Sequence, residues 1–143
     1  MQMPDHKVVL GSPEWIAHAD GVVRDILAEH GEEGQSLRIC EVCVDAPPEI
    51  RNDDRNASWV ITIDGKTGGV EPGRSEDAEY YLQATWELEL AGARTVYTPE
   101  YIAEQEKNPT PRHEDPNLEV RGDVEQLPEW MMEFHNRMAV VTA

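Results

Sequence analysis

Positive charge is scarce in this sequence. Against 29 aspartates and glutamates stand 12 lysines and arginines, a formal charge of -17 over 143 residues. Such a surface repels nucleic-acid phosphates and anionic lipid head groups, so nucleic-acid binding is disfavoured. Long apolar runs are missing too. None approaches the roughly 18 residues of a membrane span, and the opening MQMPDHKVVLG lacks the apolar stretch of a secretory leader. The expectation is a soluble cytoplasmic protein with no integral membrane segment. Repeats and low-complexity tracts are absent, as are a nucleophile elbow, a phosphate loop, a paired metal motif and a glycine-rich nucleotide signature. No cofactor is expected.

Cysteine is limited to Cys40 and Cys43, spaced C-x-x-C. In redox proteins that spacing works at a helix N-terminus, which lowers the first thiol's pKa. Here it falls inside LRICEVCV, residues 37–44, which reads as a strand. Strand residues three apart point to opposite faces, so these sulfurs neither pair easily nor share a metal, and two reduced thiols are expected. His113-Glu114-Asp115 is a weak metal signal, since three adjacent loop residues lack partners at defined spacing.

A chain of this length forms one domain, residues 1–143, that buries roughly two thirds of its unfolded surface without disulfide or metal. Its organising stretch is Ala57 to Trp86. Trp59-Val60-Ile61-Thr62-Ile63 alternates like a strand, and Asp64 to Gly69 supplies a glycine-rich turn. A short return strand spans Val70 to Gly73, and a further strand, Ala78 to Ala84, continues the sheet as a meander. Thr85 reads as the N-cap of a helix opening at Trp86. Upstream, Ser12-Pro13-Glu14 reads as a helix start. Trp15, Ile16, Ala19, Val22, Val23, Ile26 and Leu27 form that helix's buried face, and Gly31 is expected to end it in a left-handed conformation. His18 and His30 read as solvent-facing or terminus-stabilising histidines. Asp45 to Ala57 is a polar loop.

Downstream, Trp86 to Ala93 and a helix from Thr98-Pro99 to about Lys107 precede the proline-rich segment Asn108 to Asn117, an exposed loop or lid. Leu118 to Arg121 is the last strand. Asp123 is expected to cap a C-terminal helix whose apolar stripe holds Leu127, Trp130, Met131, Phe134 and Met138. Thioethers beside aromatic rings suit a wall that accommodates varied apolar shapes, and ordinary core packing gives the same stripe. The fold class is α+β, a mostly antiparallel five-stranded sheet covered on one face by helices.

The order of Ser12-Pro13-Glu14-Trp15, Trp59 to Lys66, Asp77 to Leu82 leading into Trp86, and Leu118 to Asp123 before a final helix resembles the sterol-carrier-protein lipid-transfer family over nearly the whole chain. The resemblance implies an apolar cavity between sheet and helices for a fatty acyl, acyl-CoA or sterol-like ligand. Its wall would come from Trp59, Ile61 and Ile63 or their alternates on the other strand face, from Tyr80 or Leu82, from Trp86 and Leu90, and from Trp130, Met131, Phe134 and Met138. The chain departs from compact relatives between Leu90 and Asn117, and its acidic surface departs from basic, membrane-contacting versions. Lipid transport in an internal hydrophobic cavity is thus the first expectation, with a hydrophobic small molecule as partner. One rival is a small enzyme using general acid–base chemistry, for which Glu41, Glu79, Tyr80, Tyr81 and His135 are the polar groups nearest the apolar wall. Another is an interaction module, such as a homodimer formed through exposed apolar helix surface.

Overall fold

The computed structural model describes residues 7–109 and 114–143. The chain runs α1 (Pro13–His30), β1 (Ser36–Val44), β2 (Asn56–Asp64), β3 (Thr67–Pro72), β4 (Tyr80–Thr85), α2 (Trp86–Ala93), α3 (Pro99–Lys107), β5 (Glu119–Arg121) and α4 (Met131–Val141). The five strands form one sheet in the order β3-β2-β1-β4-β5. Three of the pairings are antiparallel. β4 instead runs parallel to β1, with Ile39 beside Tyr80 and Glu41 beside Leu82. This corrects the expected meander, because after β3 the chain crosses behind the sheet and adds β4 on the far side of β1. The connector, residues 73–79, runs along the sheet face that carries Cys40 and Tyr81.

The alternation within each strand separates two faces. Leu37, Ile39 and Cys43 of β1 lie with Trp59, Ile61, Ile63 and Tyr80 in the core under the helices, and Cys40, Val42, Val44 and Tyr81 cluster on the opposite face. The two cysteines therefore point apart, and both thiols are free. The opposite face is covered by the crossover: the Ser75 N–H lies against the Cys40 sulfur, and the Tyr81 ring carries the guanidinium of Arg121 at 3.9 Å and that of Arg74 at 5.8 Å.

α1 starts as its sequence dictates. The Ser12 hydroxyl accepts from the Trp15 N–H, Pro13 takes the first turn, and the expected apolar positions are all buried. His18 and His30 face solvent. The helix lies across β3 and β2 at Gly69, where an added Cβ would collide with the Asp20 carboxylate. Asp20 also accepts from the Val70 N–H at 2.8 Å, which ties helix to strand. Gly31 departs from expectation, since its φ is -63°. Glycine is needed there for room: an added Cβ would stand 2.5 Å from the carbonyl oxygens of Leu27 and Gly65.

Two other helix starts differ from the sequence reading. Thr85 sits at the N-cap of α2, but its hydroxyl donates to Asp115 instead of accepting a helix N–H. Asp123 caps a short 3-10 turn, Val124–Gln126, and α4 begins only at Met131, after Pro128. Val8 pairs with Thr142, whose hydroxyl accepts from the Trp15 indole at 3.1 Å, so α4 is tied to the start of α1.

Candidate functional site

The central strand carries an acid on its helix-facing side. Glu41 lies directly across from Trp59 on β2 and beside Leu82 on β4. Above it, α1, α2 and α4 do not close flush, leaving a pocket of about 320 Å³. Trp59, Leu82 and Cys43 form the floor, Trp15 and Leu10 one side, Met131, Phe134 and Met138 the α4 wall, and Leu88, Glu89, Gly92 and Ala93 the α2 rim. Among the described residues, no lysine or arginine lines it.

Glu41 is half-buried and lines the pocket. Burial, followed by the charge of Glu89, pushes its carboxyl up to about 7, against a smaller opposing pull from the Trp59 indole N–H. That N–H is buried and has no acceptor in hydrogen-bonding geometry, so it is near enough for the carboxylate to feel without completing a bond. Burial and then the charge of Asp115 raise Glu89 as well. Cys43 is raised well above the ordinary thiol range by burial first, then by Glu41 and Glu89.

The rim is latched by side chains of α4. Asn136 accepts from the Tyr97 N–H at 2.8 Å and donates back to the Tyr97 carbonyl, while His135 Nε2 lies 2.9 Å from the Thr95 carbonyl. A carbonyl only accepts, so Nε2 carries the proton. The His135 ring stacks on Tyr97 with centroids 4.1 Å apart. On the other side of α2, Asp115 accepts from the Thr85 N–H at 2.8 Å, the Thr85 hydroxyl at 2.7 Å and the Asn117 N–H at 2.9 Å. This fixes the first turn of a helix in which no residue is fully buried.

Of the expected wall residues, Trp59, Leu82, Met131, Phe134 and Met138 come together around this pocket. Ile61, Ile63 and Tyr80 face the helices but lie in solid core. Trp86 and Leu90 turn to a separate surface groove with Pro47 and Arg94, and Trp130 turns to a wider polar cleft lined by His30, Glu32 and Glu133. Phase along a strand or helix orients a residue, but only the tilt of α2 and α4 decides which neighbours share a void. Among the expected polar groups, Glu41 and His135 reach the pocket, whereas Glu79 is exposed near Arg38 and Tyr81 is on the opposite face. The sequence reading missed Leu10, Trp15, Cys43, Leu88, Glu89 and Tyr97 as lining residues. His113 lies outside the described residues. Among those described, no group of three or more histidine, cysteine or acidic side chains is arranged to hold a metal ion, and no helix is long and apolar enough to cross a membrane.

The architecture is that of the sterol-carrier-protein fold. The chain is similar to the solution structure of a conserved hypothetical protein of Thermus thermophilus, described as a possible sterol carrier protein, with a TM-score of 0.53 and 11% identity over 96% of each chain. A UbiJ-SCP2 ubiquinone synthesis protein aligns over 96% of each chain at 14% identity with a TM-score of 0.42. No family model matches the sequence, and no curated protein does.

Proposed function

We propose that the pocket between the sheet and α1, α2 and α4 binds and carries a hydrophobic small molecule. The supporting observation is the pocket itself, with apolar and aromatic side chains on floor and wall and a few polar groups converging at one end. Taking apolar ligand surface out of water contributes about 25 cal/mol per Å², so such a hollow binds without any catalytic group. The volume is about 320 Å³, roughly twice a cavity of ~150 Å³ that holds benzene. That size favours a compact guest, or the end of a longer one, over a whole sterol or acyl-CoA. Titration with octanol should shift tryptophan emission saturably, since Trp15 and Trp59 line the pocket. Leu82→Trp fills the floor, and the fold should persist while that response disappears. A wild-type protein with native circular dichroism and no saturable response would end the reading.

One observation favours a second reading, an enzyme. A carboxyl raised to about 7 in an apolar pocket is tuned to exchange protons near neutral pH, as a general acid or base must. Conversion of a bound apolar substrate that stops with Glu41→Gln, while binding continues, would establish it.

A further inference from the structure

The two carboxyls in the pocket indicate the polar end of its ligand. Building on the carrier reading, we infer that the pocket selects hydrophobic amines, whose ammonium seats between Glu41 and Glu89 while the apolar part lies against Trp15, Phe134 and Met138.

Glu41 stands in the middle of the central strand, where any apolar residue would pack at lower cost. Among the described residues neither it nor Glu89 forms an ion pair, and no cationic side chain lines the pocket. A carboxylate held this way lacks the partner that usually offsets its burial. A carboxylate or phosphate ligand would bring negative charge to two carboxyls whose own ionisation their surroundings already oppose. An ammonium supplies the missing countercharge and the N–H donors together.

The Trp59 indole is an independent pointer. Its side chain is 1% exposed, faces the pocket, and holds an N–H without an acceptor. An amine that fixes Glu41 in its ionised form gives that N–H a full carboxylate to donate to. The overall charge of -17 acts in the same sense at longer range, attracting cations and repelling anions.

Octylamine, octanoate and octanol, matched in chain length, separate the possibilities when titrated calorimetrically into the full chain at neutral pH. The expected result is that octylamine binds at least about tenfold tighter than octanoate, the scale of one charged hydrogen bond. Glu41→Gln should bring octylamine down to the level of octanol. Glu89→Gln, on the partly exposed α2, should reduce the preference in the same direction. Octanoate binding as tightly as octylamine, or an amine preference that survives both substitutions, would overturn the assignment while saturable octanol binding leaves the carrier reading standing. Failure of all three to bind natively folded protein would overturn both.

Discussion

Glu41 and Trp59 face each other across the antiparallel β1–β2 ladder, and between them they place an ionisable carboxyl and an unsatisfied N–H at the centre of the sheet. The carboxyl is easier to protonate folded than unfolded, and this sets the sign of a pH effect. Between the ordinary value of 4.5 and the folded value of about 7, the folded chain holds more of the proton than the unfolded one. The contribution of Glu41 to stability therefore falls as pH rises through that window and levels off above it. The loss is at most roughly 3 kcal/mol. Urea unfolding at a series of pH values should show this decline, and Glu41→Gln should flatten it and be the more stable protein at alkaline pH. A variant with the same slope as wild type would contradict the assignment.

Asp115 acts in the opposite direction. Partial burial works against its ionisation, but the hydrogen bonds from Thr85 and Asn117 together outweigh it and hold the carboxyl below the usual range. Its stabilisation is present above the unfolded pKa and is lost as pH falls through the lower, folded one. Asp115→Asn should cost about 1–2 kcal/mol near neutral pH, and hydrogen exchange should speed up in α2 more than in α1. Uniform acceleration of both helices would mean that Asp115 does not hold α2 specifically.

Gly31 offers a test of crowding as opposed to backbone conformation. Its φ of -63° is open to any residue, yet an added Cβ meets two carbonyl oxygens at 2.5 Å. Gly31→Ala should destabilise by about 2 kcal/mol or more, read from the denaturation midpoint. At Gly34, which has positive φ but open space around it, alanine meets only backbone strain, of order 1–3 kcal/mol. A neutral Gly31→Ala would show that the junction of α1 with the β2–β3 turn is looser than its geometry implies.

Much of this fold was legible from local pattern. Ser12-Pro13-Glu14 and the three-and-four spacing from Trp15 to Leu27 predicted α1, and the alternation from Trp59 to Ile63 predicted β2 but left open which of its faces is buried. The position of β4 was not legible, because strand order depends on where a connector travels, and Gly73 to Glu79 carries no sign of direction. The pocket was half legible. In LRICEVCV both phases are largely apolar, with Arg38 on one and Glu41 on the other, so the pattern does not say that the glutamate is the one turned inward. Glu89 was hidden for another reason: α2 has apolar residues all round and no buried face to orient it. The α4 stripe divided for geometric cause, with Phe134 and Met138 entering the pocket and Trp130 passing the helix start toward the polar cleft.

The parallel neighbours β1 and β4 also order the assembly of the chain. β2 and β3 are joined by a tight turn and β1 meets β2 through the loop of residues 45–55, whereas Arg38 and Glu79, at the start of the β1–β4 seam, are 41 residues apart in sequence. Closing that loop is entropically slower than closing a hairpin. Until β4 docks, Leu82 is missing from the floor and Glu41 stands in water as an ordinary acid. The proton affinity of Glu41 is therefore expected to rise when β4 docks, and rapid mixing across a pH jump would time the arrival of the fourth strand.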